Sequence, residues 1–206
     1  YAPPDWWWPC LRRWCTKHRI TLIADEVLCG VHRCGPAFVS AEEAPDILLA
    51  GKGLANGLPL GAVALRPAWR EALAAAAPGS TFSDHALSCR AAAATLNALQ
   101  ADAQWPARVQ ALEAAFFAAA THHRDWRIQH GVRAGGRGAL LGLRWPGAPQ
   151  VDAARVTKAL LEGGIAVGTA PQRIRFTPPL TLPPERFAEV LDTTYAVLQR
   201  FFRTPT

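Results

Sequence analysis

Three short apolar runs, separated by glycine- and proline-rich loops, dominate the first third of the chain. They cover residues 20–25, 45–50 and 60–65. Apolar runs of this length without alternation are typical of strands buried in a parallel sheet. A segment with apolar residues at helical spacing, residues 10–18, precedes the first run. This order of elements predicts an α/β fold, in which ligands bind beyond the carboxyl ends of the strands.

The pattern changes in the second half of the chain. Alanine and leucine dominate residues 86–119, with Pro106 as the expected break between two long helices. The later predicted elements are two strands around a glycine turn in 128–145, a helix in 152–164, two short strands in 165–180 and an amphipathic helix in 183–202. We therefore predict two domains, a larger α/β domain over residues 1–108 and a smaller α+β domain over residues 109–206.

Composition places the chain among globular proteins. Of its 206 residues, 50% are apolar and 18% are charged, which excludes a disordered chain. No apolar stretch approaches the ~18–20 residues needed to cross a bilayer, and no signal peptide opens the chain. The sequence begins at Tyr1 and contains no methionine, so we expect a fragment of a longer protein. These features predict a cytoplasmic protein with no membrane partner.

Nucleic acid and zinc are two alternative ligands that the sequence raises. The net charge is +6, but the densest basic stretch, residues 11–19, is typical of the solvated face of the first helix. The five cysteines include two pairs at the loose end of structural zinc spacing, Cys10 with Cys15 and Cys29 with Cys34. The first pair lies on the predicted helix and the second brackets a loop. We predict reduced thiols, no metal site and no nucleic acid partner.

The candidate chemistry follows the first two strands. Asp25 ends the first apolar run, and Lys52 follows the second within a glycine-rich turn. Burial lowers the pKa of a lysine amine from about 10.4, and the neutral amine then forms Schiff bases, most often with pyridoxal phosphate. That cofactor also needs a carboxylate for its pyridine nitrogen, and a carboxylate that ends a buried strand needs a cationic partner. We therefore expect neighbouring strand ends to bring Asp25 and Lys52 to one ring.

The phosphate of this cofactor needs hydrogen-bond donors, which residues 79–85 offer. Ser80, Thr81 and Ser83 supply hydroxyl groups immediately before a predicted helix. The first backbone N–H groups of a helix attract anions. We therefore expect this segment to contact the phosphate.

Four segments together resemble the class III (ω-type) pyridoxal-phosphate-dependent aminotransferases. They are LIADEVLCGVHRCG, PDILLAGKGLANGLPLGAV, GSTFSDHALSCRAAAATLNAL and RIRFTPPLTL, and they occur in the order of the family. Nearly the whole chain can be laid along the C-terminal half of that family. The resemblance implies part of a fold-type I large domain, with a mostly parallel sheet and helices, over residues 1–108. The small C-terminal α+β domain of the family then covers residues 109–206.

The resemblance also implies a role for five residues. Lys52 matches the Schiff-base lysine, and Asp25 matches the acid that pairs with the pyridine nitrogen. Val27 matches the branched residue packed on one face of the ring. Thr81 matches the threonine that reaches the cofactor phosphate of the partner subunit, so a homodimer is expected. Arg175 matches an arginine that meets a substrate carboxylate or a gating acid.

The chain departs from the family pattern around the expected pocket. Residues 30–35, GVHRCG, stand where the family usually has GFGRTG, so His32 replaces a glycine. Asp84 and Ala86 stand where a glycine and a proline are common. The N-terminal half of the family supplies a phosphate loop and an aromatic ring that stacks on the cofactor, and we expect both to be missing here.

The resemblance implies an aminotransferase that moves an amino group from an amino acid or ω-amine to a keto acid or aldehyde. A Lys52 Schiff base would carry the reaction. The same motifs serve related aminomutases and decarboxylases, which product analysis distinguishes. A further alternative is a non-catalytic remnant of the family, which would stay colourless with pyridoxal phosphate.

Overall fold

The chain divides into two compact units. A computed structural model describes residues 2–76, 79 and 85–203, without the side chains of Leu73 and Ala76. One unit is Pro3–Trp105, and the other begins at Pro106. We call them the N-terminal unit and the C-terminal unit. The assignment of residues 1–108 and 109–206 to two domains of the whole protein stays a prediction.

The N-terminal unit contains helices and a small sheet. Its elements are α1 Trp7–His18, β1 Ile23–Asp25, β2 Ile47–Ala50, β3 Ala62–Leu65, α2 Arg70–Ala76 and α3 Ala86–Ala101, with short 3-10 helices at Lys52–Ala55 and Pro67–Trp69. Helix α1 confirms the helix expected in residues 10–18. Its apolar side buries Cys15, and Arg12 on its basic side pairs with Asp46 at 2.9 Å. The same Asp46 carboxylate accepts a hydrogen bond from the Leu22 N–H at 2.8 Å, which ties α1 to the start of the sheet.

The sheet has the order β1-β2-β3 and is mixed. Strands β1 and β2 are parallel, with Asp25 opposite Leu49, whereas β3 is antiparallel to β2. The prediction of three parallel strands is therefore wrong for the third. The connection between β2 and β3, residues 51–61, is shorter than the dozen or more residues of a parallel crossover, so the chain returns in the opposite direction.

One face of this sheet is open to solvent. Ile23 and Val63 lie on that face and are 54% and 55% exposed. On the other face, Ala50 packs in a small core with Leu54 and with Ala92 of α3. The prediction of strands buried on both faces is therefore wrong for this chain, because its own helices cover only one side of the sheet among the described residues.

The C-terminal unit follows the predicted order of elements with one addition, the short helix Arg124–Gln129, which covers the first residues of the segment predicted as two strands. The elements are α4 Trp105–His122, α5 Arg124–Gln129, β4 Arg133–Arg137, β5 Leu140–Arg144, α6 Ala153–Glu162, β6 Gly168–Ala170, β7 Arg173–Phe176 and α7 Pro184–Arg203. Pro106 lies in the first turn of α4, where a missing N–H breaks no helical hydrogen bond. The four strands form an antiparallel sheet in the order β4-β5-β7-β6.

Alternation along these strands builds the core of the C-terminal unit. Leu141 and Leu143 of β5 face inward and pack with Phe116 of α4 and Leu191 of α7. Trp145 is fully buried, and its indole N–H donates to the Val151 carbonyl oxygen at 2.9 Å. The buried polar group of this large residue is thus satisfied, as a closed core requires.

Candidate active site

Lys52 lies just beyond the carboxyl end of β2, at the first position of the 3-10 helix Lys52–Ala55. The Leu54 N–H donates to the Gly51 carbonyl oxygen at 3.0 Å and closes this turn. Lys52 has a φ of 46°, a left-handed conformation that costs a non-glycine residue about 1–2 kcal/mol. Backbone strain of this kind is concentrated at functional sites.

The side chain of Lys52 is exposed. Within the described residues, no hydrogen bond or ion pair engages its amine. Its amine is therefore available to an incoming group.

Asp25 is the last residue of β1 and lies opposite Leu49 of β2. Its Oδ1 accepts a hydrogen bond from the Val27 N–H at 3.1 Å. Asp25 is exposed, because it lies on the open face of the sheet. The expectation that this carboxylate is buried and needs a cationic partner is therefore wrong for this chain. An exposed carboxylate remains a ready acceptor for a ring N–H.

Parallel pairing brings three of the predicted site residues to one end of the sheet. The Glu26 N–H donates to the Leu49 carbonyl oxygen at 2.9 Å, so β1 and β2 end side by side. A Cβ placed on Gly51 would lie 3.4 Å from Val27 Cγ1, so Val27 packs beside the residue that precedes Lys52. Asp25, Val27 and Lys52 thus share one neighbourhood.

The other two predicted site residues are Thr81 and Arg175. Thr81 lies outside the described residues, and its phosphate contact stays a prediction. Arg175 is an exposed residue of β7 in the C-terminal unit, paired with Gly142 on one side and Gly168 on the other. Its Nε lies 3.3 Å from a Cβ placed on Gly168, so the guanidinium reaches across a strand that has no side chain there.

Glu26 is a residue of this neighbourhood that sequence reasoning missed. It is only 3% exposed, and its carboxylate accepts hydrogen bonds from the backbone N–H groups of Val39 and Ser40 and from the Ser40 hydroxyl. Its burial depends on which face of β1 is covered, which the sequence alone does not show. Side chains alternate along a strand, so an exposed Asp25 places Glu26 on the same side as the buried Ala24.

The loop after Glu26 contains a tight turn. Val31 and His32 have φ values of 54° and 61°, and the Arg33 N–H donates to the Gly30 carbonyl oxygen at 3.2 Å. His32 Nδ1 lies 2.9 Å from the Gly35 carbonyl oxygen, so Nδ1 carries a proton and donates it to that oxygen. Burial raises the pKa of the Cys29 thiol at the start of this loop, and the Glu26 carboxylate raises it further.

Other classes of site find no support within the described ranges. No group of three or more metal-ligating side chains occurs there, and the five cysteines are free thiols. None of the described helices is long and apolar enough to cross a membrane. The candidate chemistry therefore remains at the ends of β1 and β2.

The residues present fit two of the three demands of pyridoxal phosphate. A lysine amine and a carboxylate lie at the adjacent ends of two parallel strands. The hydroxyl groups expected to bind the phosphate lie outside the described residues. The fold and the site together indicate an α/β protein of the class that binds a cofactor aldehyde through a lysine.

Comparison with known proteins identifies the family. The profile of the family described as Aminotransferase class-III matches residues 1–198, and the chain belongs to this family. The 4-aminobutyrate aminotransferase of Mycobacterium tuberculosis (strain ATCC 25618 / H37Rv) is 33% identical over 212 residues, which cover 96% of this chain and 46% of that protein. The omega-aminotransferase of Caulobacter vibrioides is 33% identical over 209 residues, which cover 95% of this chain and 47% of that protein. The chain thus spans about half the length of the curated relatives it matches.

A solved structure agrees with this assignment. An amine transaminase from an uncultivated Pseudomonas species, in its PLP-bound (internal aldimine) form, superposes with a TM-score of 0.83 at 27% identity. The match covers 97% of this chain and 49% of that chain. The class III family and the fold-type I architecture predicted from the sequence are therefore confirmed.

Proposed function

We propose that this chain carries the lysine and the acid of a pyridoxal-phosphate-dependent aminotransferase. The observation that supports the proposal most directly is the placement of Lys52 and Asp25 at adjacent ends of two paired parallel strands. The whole protein moves an amino group from an amino acid or ω-amine to a keto acid or aldehyde. Relatives named for 4-aminobutyrate and acetylornithine favour donors whose amine lies far from a carboxylate.

Each residue has a defined task toward the cofactor. Bound pyridoxal phosphate supplies an aldehyde and an electron-accepting ring. The Lys52 Nζ is the nucleophile for that aldehyde and, when free, the base that carries a proton to and from the substrate carbon. The Asp25 carboxylate keeps a proton on the ring nitrogen, and the Val27 side chain packs against one ring face.

Two further residues act on the substrate and between subunits. Arg175 binds a substrate carboxylate. Its guanidinium is exposed, and the residues opposite it on both neighbouring strands are glycines, which leave it accessible. Thr81 reaches the cofactor phosphate of a second copy, so the working protein is a homodimer. We place this enzyme in the cytoplasm.

The substitution Asp25→Asn in the protein expressed from its whole coding region tests the proposal. A neutral amide no longer favours a protonated ring nitrogen, so transamination should fall on the order of a thousandfold, while cofactor still binds. The matched control is Glu42→Gln, which removes an exposed carboxylate of the same unit and should leave the rate unchanged. Activity of the Asp25→Asn protein within about tenfold of the parent contradicts the role of Asp25.

Product analysis distinguishes the related reactions. Incubation with an amino donor and a keto acid should yield a new amino acid and a carbonyl product in equal amounts. Release of carbon dioxide, or an amino group moved within one molecule, would assign a decarboxylase or an aminomutase. A protein that stays colourless with pyridoxal phosphate would be a non-catalytic remnant.

A further inference from the structure

The carboxylate of Glu26 is a buried charge with a full set of donors. It is 3% exposed, and a buried carboxylate is stable only when it is hydrogen-bonded. Its Oε2 accepts from the Val39 N–H at 2.7 Å, and its Oε1 accepts from the Ser40 N–H at 2.8 Å and the Ser40 hydroxyl at 2.5 Å. One side chain therefore fixes the far end of the loop that begins at residue 27.

The backbone of Glu26 is fixed as well. Its N–H donates to the Leu49 carbonyl oxygen at 2.9 Å, which attaches it to β2, and its carbonyl oxygen accepts from the Gly30 N–H at 3.0 Å. A Cβ on Gly30 would lie 2.8 Å from that same oxygen, so only glycine fits this close approach. Glu26 thus joins the sheet, the tight turn and the end of the loop, and it directly follows Asp25.

The loop held by Glu26 packs against Gly51 and Gly53, the two residues next to Lys52 in the chain. Val27 Cγ1 lies 3.4 Å from a Cβ placed on Gly51, and Val31 Cβ lies 3.8 Å from a Cβ placed on Gly53. Val31 is 8% exposed despite its left-handed backbone, so it is part of the small core beneath the Lys52–Ala55 helix. The position of this loop therefore sets the position of the Lys52 turn.

We propose that Glu26 is a positioning residue: its buried carboxylate fixes the loop 27–40 and thereby aligns the Lys52 amine with the Asp25 carboxylate. The inference rests on the proposed function, because alignment matters only where both groups act on one cofactor. Glu26 itself faces the loop rather than the open face that carries Asp25. Its effect is transmitted through Val27 and Val31.

The test compares labelling at two lysines of the same molecule, Lys52 and the exposed Lys17. The protein is incubated with pyridoxal phosphate, the adducts are reduced with borohydride, and the labelling rate of Lys52 is divided by that of Lys17. Glu26→Gln keeps the size of the side chain but turns one acceptor into a donor that faces a backbone N–H. Losing a hydrogen bond to a charged group disfavours the observed position of the loop by about tenfold or more. We expect the ratio of Lys52 to Lys17 labelling to fall by the same factor. Ser40→Ala keeps both backbone donors and should lower the ratio less. Glu42→Gln, an exposed acid nearby, should leave it unchanged.

A purely structural role would lower the free energy of unfolding without changing the labelling ratio of the folded molecules. A folded Glu26→Gln protein with the parent ratio therefore overturns the proposal. Where Glu26→Gln does not fold, a parent ratio in Ser40→Ala overturns it. A parent chain that labels Lys52 no faster than Lys17 overturns the proposed function itself, whereas a preference for Lys52 that survives both substitutions overturns only the role of Glu26.

Discussion

The two units of this chain differ in how completely they cover their own apolar surface. The C-terminal unit holds every one of the largest fully buried side chains among the described residues, including Trp145, Phe116 and Tyr195. The core of the N-terminal unit consists mainly of small residues such as Ala50 and Ala55. Its sheet leaves one apolar face exposed.

This difference bears on what holds the candidate site residues in place. Buried apolar area stabilises by about 25 cal/mol per Å², so the small core of the N-terminal unit contributes little rigidity. Asp25 is held instead by strand pairing, and in our proposal the hydrogen bonds around Glu26 align it with Lys52. The C-terminal unit is stabilised by its core and carries only Arg175 of the described candidate residues.

Core truncation should show the largest contrast between the units. Leu191 is fully buried in the C-terminal unit, so Leu191→Ala should lower the free energy of unfolding by about 2–5 kcal/mol. Leu48 is half-buried against the smaller core, so Leu48→Ala should lower it by about 1 kcal/mol. Urea denaturation of the two variants checks the order. Equal losses would contradict the comparison.

The stability of the C-terminal unit should depend on pH through one of its histidines. His123 stacks on Tyr195 with a ring-centroid separation of 4.1 Å, and burial, then the neighbouring His122 and Arg127, lower its pKa, with Asp192 opposing. The unfolded chain therefore binds this proton more tightly. Stability should be complete above the ordinary histidine pKa of about 6.5 and should fall as the pH drops below it.

The substitution His123→Phe tests this dependence because it keeps an aromatic ring on Tyr195 and removes the titrating group. Urea denaturation at pH 7.5 and at pH 5 should show a smaller acid loss in His123→Phe than in the parent. His122→Gln is the matched control, since burial of His123 is the leading cause and remains. An unchanged acid loss in His123→Phe would assign the loss to other groups.

Left-handed residues offer the same substitution in each unit. Arg19 ends α1 with a φ of 54°, and Gln172 lies between β6 and β7 with a φ of 55°. Glycine adopts this conformation without steric penalty, so Arg19→Gly and Gln172→Gly should each raise the free energy of unfolding by about 0.5–1 kcal/mol. Lys17→Gly, inside α1, should lower it by about 1 kcal/mol. Thermal denaturation distinguishes the expected stabilisation from the expected destabilisation.

Tyr195 should give the smallest effect. Its hydroxyl is buried without a hydrogen-bond partner in the described structure, and burial raises its pKa to about 12. Tyr195→Phe should therefore change the free energy of unfolding by less than about 1 kcal/mol at pH 7. The parent should lose stability between pH 10 and about 12, where the unfolded chain ionises first, and the variant should lose less. A loss above about 2 kcal/mol at pH 7 would reveal a partner for the hydroxyl.

Periodicity in the sequence predicted the elements of the C-terminal unit well. Alternation at Leu141 and Leu143, and helical spacing at Phe187 and Leu191, report directly which side of each element faces the core. The glycine turn between β4 and β5 and the glycine stop after α6 are local signals as well.

The N-terminal unit was harder to predict because its features depend on more than local pattern. An apolar run indicates a strand, but it does not show whether anything covers each face, so the exposure of Ile23 and Val63 was missed. The direction of β3 was available from the short connection 51–61. Motif order matched Asp25 and Lys52 to the family pattern, whereas the hydrogen bonds of Glu26 depend on the position of Ser40, which only the fold supplies.

The central claim is that Lys52 is the lysine to which pyridoxal phosphate attaches. The chain has only three lysines, Lys17, Lys52 and Lys158, so the measurement is direct. The protein is incubated with pyridoxal phosphate, reduced with borohydride and mapped by mass spectrometry of its peptides. We expect an adduct concentrated on Lys52, with Lys17 and Lys158 as internal references. An adduct shared between Lys17 and Lys158, with Lys52 unmodified, would contradict it.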